Sequence, residues 1–320
     1  MEPIKVSICI TVLNEGKSIS SLLDSLLAQS TKPTEIVIVD GGSSDNTAQI
    51  IRHYQKKDKR IRFVVEPGSV AHGRNAAVEL SRFPIITQID AGCVARKDWL
   101  QKLITPFKHK EVDVVAGFYY MSAKTSLQKA MNVYHGVPPE RFDATSFLPS
   151  ASSVAFRKKV WEVVGGYSEK LNKAGEDTLF IYEVINKGFD IVRVKEAIVD
   201  WQETADFSLS DSLKKFYQYA NGDAQAGIWW HPKKQLATHN IKVTAIFIRY
   251  FIGITLLILS VKQTALLLPL VLLVLLYLVW PIIKWRDVIY DFGARLWLPL
   301  VQLSSDLAVM AGFISGIFSR

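Results

Sequence analysis

From Gln263 to Ile283 the chain carries no charged residue, and an apolar stretch of about 20 residues wound as a helix spans the hydrocarbon core of a bilayer. That segment dictates a protein that is partly membrane-embedded, with Trp280 and Trp285 placed near its end as interfacial anchors would be. Val243 to Val261 is a second candidate, interrupted by Arg249, and Leu296 to Phe318 a third, interrupted by Asp306. A charge inside a span is costly unless it snorkels, pairs or faces protein. Each of these two is therefore either a true span or an interfacial or re-entrant segment, giving two or three membrane helices.

The remainder of the 320 residues is long enough for one large α/β domain, since cores usually split beyond about 250 residues. The expected division is a domain over 1–235 and a membrane region over 236–320. The net charge of +8 divides into +4 for residues 241–320 and +4 for the rest, so neither part is a polycation. The run Lys56, Lys57, Lys59, Arg60 reads as a solvated helix end, and no nucleic-acid partner is expected. Cys9 and Cys93 are too few for a disulfide framework and lack metal-ligand spacing. The N-terminus enters Ile4 to Ile10 directly, without the charged and then apolar regions of a secretory leader. Lys233, Lys234 and Lys242 precede the first span, while Lys284, Arg286 and Arg295 follow the second. Both flanks are expected in the cytoplasm, together with the first domain, in a multi-pass protein of the plasma membrane. Lys262-Gln263 would form a tight outer hairpin.

Ile4 to Val12 reads as a buried strand, and Ser18 to Gln29 as a helix with Ser18 as a candidate cap. Glu35 to Val39 is a second strand, followed by a helix that Ser44 or Asp45 would cap and that reaches Tyr54. A third strand (Arg62 to Val65), a helix (Gly73 to Ser81) and a fourth strand (Ile85 to Ile89) continue the alternation expected of a mostly parallel, Rossmann-like sheet. Asp113 to Tyr120 and Ser153 to Phe156 read as further strands. Ligands of open α/β sheets gather at the carboxyl ends of the strands, where Asp40 and Asp90 lie. No Gly-x-Gly-x-x-Gly follows the first strand, which argues against a dinucleotide-dependent oxidoreductase.

Two strand-end motifs carry a resemblance: Val6-Ser7-Ile8-Cys9-Ile10-Thr11-Val12-Leu13-Asn14-Glu15, and Ile38-Val39-Asp40-Gly41-Gly42-Ser43-Ser44-Asp45-Asn46-Thr47. Together they closely resemble family 2 glycosyltransferases of the GT-A fold, including members with C-terminal membrane helices, over roughly Ile4 to Gly227. The resemblance implies that Asp40 contacts the nucleobase of a nucleotide-sugar, with Thr11, Leu13, Asn14 and Glu15 bordering the base and ribose. Gly73-Arg74-Asn75 is similar to the family segment in which the arginine meets the donor's base or phosphates. The fourth strand of the family normally ends in Asp-x-Asp, whose acids reach the ribose and a divalent cation on the diphosphate. Here it reads Asp90-Ala91-Gly92, so the second acid is missing. Asp90 would hold Mg²⁺ or Mn²⁺ directly or through water, another carboxylate would assist, or metal dependence is weakened.

Gly165-Gly166-Tyr167 and Gly175-Glu176-Asp177 resemble the family's glycine-glycine-tyrosine and Glu-Asp pair. This implies Asp177 as the catalytic base of an inverting transfer, with Glu176 in support. Ser152 would line the sugar pocket. Lys215 to Asp223 occupies the place of the Gln-x-x-Arg-Trp motif of processive relatives, but Asn221 stands where arginine is expected. This argues for a single transfer, and Gln218 and Tyr219 become acceptor-side candidates. Trp229 to Pro232 would meet the bilayer surface. The expected donor is a UDP-sugar in preference to a GDP-sugar, and the acceptor a lipid-linked one. A catalytically inactive membrane scaffold that binds nucleotide-sugar is the alternative that Gly92 and Asn221 favour. Gly253, Gly312 and Gly316 point to close helix packing.

Overall fold

The computed structural model describes residues 4–171, 174–202, 207–227 and 239–319, which form two compact units. The first comprises 1–122 and 142–203, and the second 123–141 and 204–320. The boundary expected at 235/236, the Trp229 to Pro232 segment and Lys233 and Lys234 lie outside the described residues.

The first unit opens with β1 (Val6–Val12), α1 (Ile19–Leu27), β2 (Glu35–Asp40), α2 (Thr47–Lys57), β3 (Ile61–Val65), α3 (Val70–Leu80) and β4 (Ile85–Gln88). These strands lie parallel in the order β3-β2-β1-β4. β2 is buried at every position, as expected of a strand covered on both faces. α1 faces the sheet through Ile19, Leu22, Leu23 and Leu26, all fully buried. Each such side chain contributes about 1.5–3 kcal/mol, and Leu22→Ala would cost about 2–5 kcal/mol. Ser18 stands at the N-cap of α1 but its hydroxyl turns back to Glu15 instead of capping a backbone N–H. At α2 the capping bond comes from Asp45, whose Oδ1 accepts from Thr47 N at 3.0 Å.

The chain continues through β5 (Cys93–Ala95), α4 (Trp99–Ile104) and β6 (Val114–Met121). After α5 (Ser126–His135), which belongs to the second unit, come β7 (Val154–Arg157), α6 (Lys158–Val164), α7 (Glu176–Asn186) and β8 (Ile191–Trp201). The eight-stranded sheet runs β3-β2-β1-β4-β7-β6-β8-β5, with β7 antiparallel to β4 and β6, β6 parallel to β8, and β5 antiparallel to β8. β5 and β8 escaped the sequence reading. The three residues of β5 are too short to show a period, and β8 alternates buried with half-exposed positions interrupted by Arg193, Lys195 and Glu196. Gly117 sits at the register shift of β6, where a Cβ would overlap Ser153 Oγ.

The second unit contains α5, α8 (Leu209–Ala226), α9 (His239–Ser260), α10 (Leu267–Lys284) and α11 (Phe292–Phe318). Three of its stretches, Ile241–Ser260, Thr264–Lys284 and Phe292–Phe318, are long and apolar enough to cross a membrane. The charges that interrupt two of them pair with each other. Arg249 on α9 donates to Asp306 on α11 at 2.6 Å, and Tyr277 on α10 donates to the same carboxylate at 2.8 Å. α8 packs on α11 across Gly312 and Gly316, where Cβ atoms would overlap the backbone of Tyr217 and Asn221. Asn221 is buried there, its amide 3.4 Å from Gly312 O. Trp280 is 55% exposed, as an anchor would be, but Trp285 is 6% exposed. Trp285 packs instead with Met131, Leu298 and Val301, because the helix ends there and turns its ring inward.

Candidate active site

The carboxyl ends of β1 and β2 are stitched together by side chains from their loops. Asn14, in the left-handed region at φ 57°, accepts from Ser44 N at 2.9 Å and donates its own N–H to Ser43 Oγ at 2.9 Å. Glu15 N donates to Thr47 Oγ1 at 2.8 Å, and Gly16 N to Asp45 Oδ2 at 3.0 Å. Asp40 Oδ1 accepts from Gly42 N (3.1 Å), Ser43 N (2.8 Å) and Ser43 Oγ (2.7 Å). Its other oxygen, Oδ2, is buried and has no hydrogen-bond partner among the described residues, a condition costing about 1–3 kcal/mol unless a donor arrives. Beside it Leu13 is 54% exposed, unusual for a leucine at a strand end. Thr11 is half-buried against Gly73, where a Cβ would come within 2.9 Å of Thr11 Cγ2, so only glycine lets α3 approach β1 this closely. Burial holds the Glu15 carboxyl above its ordinary range, with the Asp90 and Asp45 charges adding to the effect against the Ser18 hydrogen bond.

Arg74 leaves α3 with its guanidinium almost wholly buried. It donates to Glu176 through one terminal nitrogen and to Asp90 Oδ1 at 3.1 Å through the other. Burial weakens its hold on the proton, but the Asp90 and Glu176 charges outweigh that and raise it above the ordinary arginine range. The Tyr167 ring lies 5.7 Å from the guanidinium carbon. Asp90 Oδ2 accepts from Ser152 Oγ at 2.6 Å. Glu176 is pushed up by burial, pulled back by Arg74, and pushed up again by the Asp177 charge. Its Oε2 is buried without a partner among the described residues. Asp177, in the first turn of α7, is half-buried, and its carboxylate accepts from Thr178 N at 2.8 Å and Ala151 N at 3.3 Å.

Asp90, Arg74, Glu176, Asp177 and Ser152 thus form one cluster. Asp40, Asn14 and Glu15 form the neighbouring strand-end group, linked to it electrostatically through Glu15 and Asp90. Gln218 and Tyr219 lie on α8 and belong to the other unit. Ala91 is buried. The position of the missing acid, Gly92, faces an indole: a Cβ there would lie 3.6 Å from Trp201 Nε1. Trp201 was not singled out from sequence because its strand was not. Asn75, next to Arg74 on α3, shapes the neighbouring glycine turn. It accepts from Trp161 Nε1 at 3.1 Å and Tyr167 N at 2.8 Å, and donates to Tyr167 O at 2.9 Å, so it builds the Gly165-Gly166-Tyr167 turn.

Two carboxylates pair with one guanidinium and Asp177 adds a third nearby, so the cluster is anionic when ionised. A divalent cation fits this donor set. Magnesium is usually held by one or two carboxylates, with substrate phosphates and water completing its shell, and Asp90, whose oxygens here meet Arg74 and Ser152, is the residue that could hold one. Among the described residues no group of three or more His, Cys, Asp or Glu is placed to hold a metal ion.

The family described as glycosyl transferase family 2 matches residues 7–162. Glycosyltransferase GlyG of Streptococcus pneumoniae is 27% identical over 117 residues, 36% of this chain and 39% of the relative, so this chain spans about two fifths of that protein. Glycosyltransferase AglE of Haloferax volcanii is 24% identical over 243 residues, 70% of this chain and 74% of the relative. Among solved structures, the mannosyltransferase PcManGT from Pyrobaculum calidifontis, in complex with GDP-Man and Mn²⁺, matches 99% of this chain and 88% of its own with a TM-score of 0.67 at 15% identity. The match to glycosyl transferase family 2 takes in just under half of the chain, and the likeness to PcManGT shows a GT-A fold, followed here by three helices able by length and composition to cross a membrane.

Proposed function

We propose that the chain is an inverting, non-processive glycosyltransferase of hexosyl type. It moves one sugar from a nucleotide-sugar to a lipid-linked acceptor at the cytoplasmic face of the plasma membrane, in glycan or polysaccharide assembly. Residues 1–235 are the catalytic domain and 236–320 the membrane region of this reading. The observation that carries it is the contrast within the Glu-Asp pair: Glu176 is consumed by Arg74 in a buried ion pair, while Asp177 stays half-open beside it.

In this reading the nucleobase presents an N–H to the orphaned Asp40 Oδ2, and Thr11, Leu13, Asn14, Glu15, Asp90 and Ala91 border the rest of the nucleoside. Both uracil and guanine carry such an N–H; a UDP-sugar is the favoured donor, with the GDP-sugar bound to PcManGT as the alternative. Asp90 would hold Mg²⁺ or Mn²⁺, whose chemistry there would be counter-charge for the diphosphate. Arg74 positions Asp90 and Glu176, and Ser152 fixes the other oxygen of Asp90. Asp177 takes the proton of the acceptor hydroxyl. The acceptor oxygen bonds to the anomeric carbon from the face opposite the leaving group, and the carbon–oxygen bond to the diphosphate breaks with its electron pair, inverting the configuration. Gln218 and Tyr219 are acceptor-side candidates.

The test is nucleotide release from a panel of UDP- and GDP-sugars by detergent-purified protein, with membrane lipid extract and Mn²⁺ or Mg²⁺, beside Asp177→Asn. Lipid-dependent release that falls about 100-fold or more in the variant is expected of a lost general base. Nucleotide-sugar binding without release from any donor would favour a scaffold, and equal transfer to soluble acceptors would remove the lipid acceptor.

A further inference from the structure

On the edge of the sheet opposite Asp40 and Asp90, two adjoining clefts of about 270 and 380 Å³ share Arg82 and Phe83. The first is lined around the starts of β2 and β3, the second by the turn before β4 and the end of β7 running into α6. Seven Lys or Arg side chains and three Asp or Glu line the pair, so the edge is positive before any pairing is considered. The fold itself uses four of these cations. Arg60 pairs with Asp58 at 2.6 Å. Arg62 lies 3.5 Å from the buried Glu35 and donates to Leu80 O, while Lys158 Nζ donates to Glu79 O at 3.1 Å and Ser81 O at 3.0 Å. Two positive charges thus close the carboxyl end of α3, where the helix dipole favours them. Arg157 donates to Val112 O at 2.9 Å and lies 3.7 Å from Asp113. Lys59, Arg82 and Lys159 remain. All three are exposed, and none has a carboxylate at ion-pair distance among the described residues. The turn that carries Arg82 is nonetheless held firmly, because Glu35 accepts both from Arg82 N and, at 2.7 Å, from Ser7 Oγ.

We propose that this edge docks an extended acidic segment of a partner protein. The clefts run beneath β3, β2, β1, β4 and β7, and four strand intervals come to about 19 Å, a distance that an extended peptide covers in about six residues. The three uncompensated cations call for carboxylates on that segment. Where the clefts meet, half-buried Phe83 and exposed Pro84 offer apolar surface, on which a peptide can set an apolar side chain between its acids. A nucleic acid carries a charge on every nucleotide and would set phosphates against the exposed Glu162 of the second cleft. The inference concerns binding on the edge away from the candidate active site, so it stands or falls separately from glycosyl transfer.

The experiment titrates the detergent-purified full chain into a fluorescein-labelled heptapeptide of Glu and Asp around a central Phe, with its Gln and Asn counterpart as the uncharged control, and reads anisotropy. Lys59→Gln/Arg82→Gln/Lys159→Gln is compared with Lys97→Gln/Lys170→Gln/Lys187→Gln, which removes the same charge from exposed positions that line neither cleft. Three exposed cation–carboxylate contacts are together worth about tenfold in affinity. The cleft variant should therefore bind the acidic peptide about tenfold more weakly and the control variant within about twofold of wild type, with binding lost in about 1 M salt. Arg82→Gln alone should cost about two- to threefold, which keeps the test open if the triple variant melts early. An unchanged melting temperature in the cleft variant separates loss of the site from loss of the fold. No binding of the acidic peptide, equal weakening in the control variant, a cleft variant indistinguishable from wild type, or a heptathymidylate that binds more tightly than the peptide would each overturn the proposal.

Discussion

Replacing Arg74 with methionine probes the centre of the candidate active site through stability alone. The Arg74 side chain is 9% exposed and its Glu176 partner 6%, so the pair is screened very little by solvent. Removing one member of a buried pair costs about 3–5 kcal/mol, chiefly because the remaining charge is stranded. At about 2–4 °C per kcal/mol for a domain of this size, Arg74→Met should lower the apparent melting temperature by roughly 10 °C. The pH dependence gives the mechanism away. Burial already holds the Glu176 carboxyl above its ordinary range with Arg74 pulling against it, and without the guanidinium it should rise further. A carboxyl raised in the folded state binds its proton more tightly there than in the unfolded chain. The stability lent by its neutral form is therefore complete below the unfolded value, about 4.3, and is lost as pH rises through the folded one. The deficit of Arg74→Met should be largest near pH 8 and narrow toward about pH 5, and adding Glu176→Gln should recover much of it. Thermal denaturation of the detergent-purified variants across that range is the assay. A variant melting within about 2 °C of wild type, or a deficit independent of pH, would refute the view that Arg74 compensates buried acid.

Further outcomes follow from single contacts. Gly166→Ala forces a Cβ within 2.8 Å of Asn75 Oδ1 at φ +76° and should cost about 1–3 kcal/mol, visible as a lower melting temperature; a neutral result would mean that the turn has room. Gly316→Leu should separate α8 from α11, because even a Cβ overlaps the Asn221 backbone; faster protease cleavage within α8 would report it, and an unchanged digestion pattern would contradict the packing. Burial pushes the thiols of both Cys9 and Cys93 well up, so neither should be alkylated by iodoacetamide in the folded protein near pH 8, while both should react in denaturant. Rapid labelling of the native chain would show that these strands open.

Much of this architecture is visible in the sequence wherever a local pattern and a local cause coincide. The runs of β1, β2 and β4 are apolar because parallel strands are covered on both faces, and Asp40 and Asp90 sit at strand ends because an acid there meets the loops instead of the core. The uncharged run at α10 is legible because a bilayer demands length without charge. What stayed hidden depends on partners distant in the chain. Nothing near Arg74 announces that it pairs with Glu176, which lies 102 residues away, and nothing near Asp306 announces Arg249, 57 residues before it. Each of these charges looked like a reactive group or a defect when read alone. The same physics explains both. A charge withdrawn from water must find its opposite, so an isolated Arg or Asp in an otherwise apolar or glycine-rich setting implies an unseen partner. In the first unit that partner is Glu176, the nearer acid of the Glu-Asp pair. The ion pair thereby holds Glu176 in place and leaves Asp177, one residue further along α7, half-exposed, which is what its proposed part as the base requires.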